Sequence, residues 1–227
     1  MTAVPPTPTH PHRPVLDEEL RRLRARVARM GELVDEGISQ AMAGLARRDV
    51  DRCTAVIAED AHLNALHRDV RELCFAILLT QAPLACDLRE TLSLLHMASE
   101  LERMGDHCVS IAKLAREVAH QPEVATTVDL GAIGRSCGEQ VRGVLSAVIA
   151  RSADQGRRVA AGDDAIDRAY REAFGVLIET IATDRESVYT ATQLVFIAHH
   201  LERIADRVTN IAEDLVYLET GVIEELG

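Results

Sequence analysis

The chain has 227 residues and carries 25 Lys+Arg against 36 Asp+Glu, a formal charge of −11. That balance excludes nucleic acid as a main partner, because a phosphate backbone needs a basic face to release its counterions. Apolar residues make up 47 %, but they are chiefly 32 Ala and 25 Leu, with three Phe, three Tyr and no Trp. Helix formers in place of aromatic and β-branched residues predict an all-α protein.

Residues 1–14 hold Pro5, Pro6, Pro8, Pro11 and Pro14 and are predicted to be a disordered Pro-rich tail. The tail has no apolar stretch of signal-peptide type, and no run in the chain approaches the ~20 apolar residues of a membrane span. Cys53, Cys74, Cys86, Cys108 and Cys137 form no C-x-x-C pair, as suits a reducing cytosol. A cytoplasmic location is expected.

Six helices are predicted in chain order. The first, about 16–48, places Leu16, Leu20, Leu23, Val27, Met30, Val34, Ile38, Met42 and Leu45 at steps of three and four. The second runs from Cys53 to about Gln81, before Pro83, and the third from about Asp87 to Ala119, before Pro122. Residues about 128–153, 156–183 and 187–220 repeat the pattern. The breaks are short, so consecutive helices should pack antiparallel.

The halves are alike. Residues 94–112 align with 194–212 at an offset of 100, with eight of 19 positions identical. Upstream the offset becomes 103, bringing Asp60 and Asn64 onto Asp163 and Asp167. The expected architecture is two repeated three-helix bundles, residues 15–121 and 122–227.

The repeat carries an acidic string, Glu102-Arg-Met-Gly-Asp106 and Glu202-Arg-Ile-Ala-Asp206. Glu and Asp four apart share a helix face, at the edge of the apolar stripe, where two carboxylates repel one another. Arg103 and Arg203 stand ~100° around the helix and are not expected to neutralise both members of a pair. Asp60 with Asn64, and Asp163 with Asp167, repeat the four-residue spacing on helices two and five. Each repeat thus offers about four side-chain oxygens, a set that suits Fe, Mn, Mg, Ca or Zn. A single E-x-x-x-D is more often a solvated acidic face. Its recurrence beside the small residues Gly105 and Ala205 weighs evenly for a metal site.

These strings, with the turn Gln81-Ala-Pro-Leu-Ala-Cys-Asp-Leu-Arg89, resemble the PhoU family over about residues 17–220. The resemblance implies a PhoU-like fold and a cytoplasmic, non-enzymatic regulator of phosphate uptake that represses the phosphate-starvation response. Its implied partners are the ATPase subunit of the phosphate ABC transporter and a phosphate-sensing histidine kinase, with a homodimer left open. The resemblance also implies metal ions on E-x-x-x-D, here Glu102/Asp106 and Glu202/Asp206, with iron or zinc first and magnesium or manganese next. The chain departs from the pattern at Ser110, where members often have Asn, and at Thr183–Ser187, which lacks the P-x-A-x-D-L-R turn. Asn64 replaces one carboxylate, so a weaker first site or fewer ions are expected there.

Other signals carry less. Arg21, Arg22, Arg24, Arg26 and Arg29 read mainly as a solvated face, with contact to an acidic partner or an inner membrane surface as the rival. His199, three residues before Glu202, is within reach of a ligand or orienting role, and His107 points away from Asp106. No P-loop, G-x-S-x-G, G-x-G-x-x-G or H-E-x-x-H occurs. The alternatives are a metal-free helical adaptor and a ferritin-like di-iron protein built on Glu59-x-x-His62 and Glu117-x-x-His120.

Overall fold

A computed structural model describes residues 13–227, and every regular element among them is helical: α1 (Pro14–Arg47), α2 (Val50–Gln81), α3 (Cys86–Val118), α4 (Leu130–Ala150), α5 (Ala153–Ala160), α6 (Asp163–Thr183) and α7 (Val188–Thr220). Residues 1–12 of the expected tail lie outside the described residues. Pro14, counted with that tail on sequence grounds, opens α1, where a fixed φ and a missing N–H are no handicap.

The fold is all-α, with two repeated three-helix bundles. The expected stripe of α1 is buried from Leu16 through Met42. It packs against α2 and α3, all three of which lie against one another. No described helix is long and apolar enough to cross a membrane.

The fifth helix differs from expectation. It starts at Ala153 and breaks at Ala161–Gly162, giving the short α5 and the longer α6. A Cβ on Gly162 would stand 3.0 Å from Gln140 Nε2 and 3.1 Å from the Val159 carbonyl oxygen, so a larger residue at the break would need these neighbours to shift by a few tenths of an ångström. Below it α5 packs on α4 and α7, while α6 lies along α7 and barely meets α4. The break also makes Asp163 the first residue of α6.

The repeats turn their first corner alike. Arg48 and Arg151, 103 residues apart, both end a helix in the left-handed region, at φ 54° and 52°. Asp49 and Ser152 follow and accept hydrogen bonds from the Arg52 and Gln155 amides, satisfying free N–H groups of the next helix. The arginine heads then part ways. Arg48 donates to the Val118 and Ala119 carbonyls at the end of α3, at 2.9 and 3.2 Å. Arg151 reaches Glu219 at 2.8 Å and the buried Glu90 at 3.4 Å.

The bundles meet chiefly where α3 runs antiparallel along α7. His96 Nδ1 lies 2.6 Å from Asp214 Oδ2, Arg207 Nη1 3.3 Å from Glu100 Oε2, and His107 Nδ1 3.1 Å from His200 Nδ1. Glu100 and Arg207 correspond to His200 and His107 at the repeat offset of 100. The two crossings are therefore equivalent places on a pseudo-twofold seam.

Candidate metal sites on the E-x-x-x-D helices

Both predicted acidic sites lie where a neighbouring helix, α2 or α6, packs on the helix bearing E-x-x-x-D, α3 or α7. The first draws Asp60 and Asn64 from α2 and Glu102 and Asp106 from α3. Gly105 makes the approach close, since a Cβ there would overlap the Leu63 side chain. Burial raises the Asp60 pKa, and the charge of Asp106 raises it further. Glu102 is raised in the same way, by burial and then by Asp106 and Asp60. Asn64 supplies one relief, donating from Nδ2 to Asp60 Oδ2 at 2.8 Å. Arg103 eases Glu102 only through its charge: as expected it turns away, to Glu100 Oε1 at 2.9 Å. A cavity of about 330 Å³ opens beside Asp60 and Gly105.

The second site draws Asp163 and Asp167 from α6 and Glu202 and Asp206 from α7. Asp163, Asp167 and Asp206 each place an oxygen within 4.8 Å of the others, the tightest acidic cluster among the described residues. Burial, then the charges of Asp206, Asp167 and Glu202, push the Asp163 pKa up to about 6. Asp206 is raised by burial and by Glu202. The Oδ1 atom of Asp163 is buried without a hydrogen-bond partner. An orphaned carboxylate oxygen among acids, in the first turn of a helix, is the donor a hard or borderline cation fits.

One expectation fails here. Arg203 neutralises both members of its pair: Nε lies 2.9 Å from Glu202 Oε2, Nη2 3.0 Å from Glu202 Oε1, and Nη2 2.5 Å from Asp206 Oδ2. The argument from Cβ direction overlooked the reach of the arginine stem and its forked head. The hydrogen bond to Glu202 raises the Arg203 pKa. Arg171 takes Asp167 at 2.9 Å, and His199 Nδ1 lies 3.5 Å from Glu202 Oε2, within orienting distance.

The architecture and its internal repeat agree with known proteins. The family model described as the PhoU domain matches residues 27–115 and again 130–215. The chain belongs to the PhoU family. Among curated relatives, a PhoU homolog of the phosphate-specific transport system from Streptococcus pneumoniae is 32% identical over 211 residues, 93% of this chain and 98% of that one. A homolog of the same description from Caulobacter vibrioides is 32% identical over 210 residues, 92% of this chain and 90% of that one. Two crystal structures superpose on the fold. PhoU from Pseudomonas aeruginosa gives a TM-score of 0.88 at 29% identity, covering 91% of this chain and 99% of that chain. The phosphate transport system regulatory protein PhoU from Streptococcus pneumoniae gives 0.81 at 31% identity, covering 93% and 100%.

In this PhoU-family chain several functional-looking groups escape the sequence. Glu100 is 1% exposed and is held by Arg103, Arg207 and Asn210, the last at 2.8 Å. The basic run of α1 is not wholly a solvated face: Arg21 and Arg22 pair with Glu18, but Arg24 reaches the buried Glu90 on α3 at 2.5 Å. The pairs proposed for a di-iron centre sit at the surface. His62 is 2.9 Å from Glu59, both exposed, and Glu117 accepts from Tyr189. Neither projects into the bundle core as a ferritin-like site requires.

Proposed function

We propose that this chain is a non-enzymatic accessory and regulator of phosphate uptake, working in the cytoplasm by binding other proteins. The observation that carries the reading is the match to the PhoU domain in both repeats, joined to relatives and a solved structure named for the phosphate transport system. Its partners in this reading are the ATPase subunit of the phosphate ABC transporter and a phosphate-sensing histidine kinase. Signalling then requires different affinities for those partners in phosphate-rich and phosphate-poor states, because a partner shifts an equilibrium only by differential affinity.

Metal ions belong to the same reading. Asp163, Asp167 and Asp206 would hold a cation at the second site. Asp60, Asn64, Glu102 and Asp106 would hold one less firmly at the first. A bound iron, zinc, manganese or magnesium ion would supply charge that offsets the clustered acids, and the orphaned Asp163 oxygen supports such an occupant. Arg203 across Glu202 and Asp206 favours the metal-free adaptor as the second reading. Deleting the gene is expected to leave phosphate-scavenging genes expressed in phosphate-rich medium. Normal repression in the deletion strain, with no second copy of the gene, would sink the regulatory reading.

A further inference from the structure

The two equivalent crossings of the α3–α7 seam are closed by unlike chemistry. At one, Glu100 binds Arg207 and Asn210. At the other, His107 and His200 face each other through their Nδ1 atoms, 3.1 Å apart, with ring centroids 5.3 Å apart. Without an ion the two rings share a single N–H···N hydrogen bond, far weaker in prospect than a charge-assisted pair. The spacing suits something else. Metal–imidazole bonds of 2.0–2.1 Å let two nitrogens 3.1 Å apart meet one ion at an angle of roughly 100°, near the tetrahedral value. Each ring needs only to carry its proton on Nε2, the tautomer that leaves Nδ1 free to ligate.

We infer that His107 and His200 form a nitrogen site for a borderline transition-metal ion of the zinc, nickel or copper type, bridging the two repeats across their seam. It is separate from the carboxylate sites in place and in preference. His107 turns from the flank that bears Asp106 toward α7, and imidazole selects zinc, nickel and copper where carboxylates also accept magnesium and manganese. The surrounding cations do not forbid it. Arg203 is paired with Glu202 and Asp206, and Arg207 with Glu100. The rings are half-buried, so water can complete the coordination. An ion there would tie α3 to α7 where the ion pair of the other crossing is missing.

The test uses the full, metal-free chain with His10 and His12 changed to Gln, which removes the His-x-His of the N-terminal stretch. One equivalent of Cu(II) is added with Mg(II) in excess for the carboxylates, and electron paramagnetic resonance is recorded. A two-nitrogen superhyperfine pattern is expected. His107→Gln and His200→Gln should each abolish it and weaken Zn(II) binding by on the order of tenfold or more. His120→Gln, and Asp163→Asn with Asp206→Asn, should keep it. A folded His107→Arg/His200→Glu variant, copying the Glu100–Arg207 crossing, should be silent toward copper. The inference is overturned by an oxygen-only spectrum, by nitrogen coupling that survives either His variant, or by its loss in the Asp163/Asp206 variant.

Discussion

The two acidic sites share a spacing, a helix pairing and a motif, yet their charge is handled differently. The first has one carboxylate fewer: Asn64 stands where Asp167 stands in the second repeat, and it donates to Asp60. At the second all four acids remain and a guanidinium lies across two of them. The break at Gly162 sharpens the contrast, since it sets Asp163 at a helix start while Asp60 lies within α2. Free N–H groups and the helix dipole favour a carboxylate at such a start. Repulsion among acids can thus be eased by deleting a charge or by importing one. Only the second route leaves three oxygens gathered for a cation.

The strongest way to test unequal repeats is at the seam. Glu100→Ala should lower the stability of metal-free protein by about 3 kcal/mol, because it strands Arg207 beside a buried gap. Its repeat counterpart, His200→Ala, should lower it by only about 1 kcal/mol, an ordinary half-buried substitution. Urea unfolding of both variants measures the difference, and equal losses would mean the two crossings do the same work.

A smaller effect separates the acidic sites themselves. A divalent cation at 100 times its dissociation constant should stabilise the chain by about 2.7 kcal/mol. Asp163→Asn with Asp206→Asn should remove the larger part of that gain, and Asp60→Asn with Glu102→Gln the smaller. Thermal unfolding with and without Mn(II) ranks them. The opposite ranking would show that Arg203 closes the second site to cations.

The smallest effect is in pH. Asp163 holds its proton in the folded chain up to about pH 6, against 3.8 ordinarily. The folded state therefore binds more protons between those values, so this group's contribution is complete below about pH 4 and lost as pH rises through 6. Without metal the loss should be roughly 1 kcal/mol, once screening of a half-exposed carboxyl is allowed for. Asp163→Asn should flatten that part of the stability profile more than Asp60→Asn does.

Much of this was legible in the sequence. Ala-rich periodicity placed the helices, and internal alignment brought Asp60, Asn64, Asp163 and Asp167 beside the E-x-x-x-D strings. The break at Ala161–Gly162 was not legible, because an isolated glycine in a helical pattern is usually carried through, and the tight approach of Gln140 to Gly162 is a tertiary contact that no local pattern shows. Arg203 was misjudged because helical direction was read from Cβ alone. Glu100 and the His107–His200 pair were invisible for another reason. Their meaning lies in an antiparallel contact between residues about 100 apart, and no local pattern sets which flank of α3 meets which flank of α7.

That seam has a consequence for symmetry. A dimer of one three-helix chain, packed through its third helix, would have an isologous interface in which any crossing recurs on the other side. Such a dimer could carry Glu–Arg twice or His–His twice, never one of each. Joining the two copies in a single polypeptide lifts that rule, and each half of the interface can then be chosen for its own task.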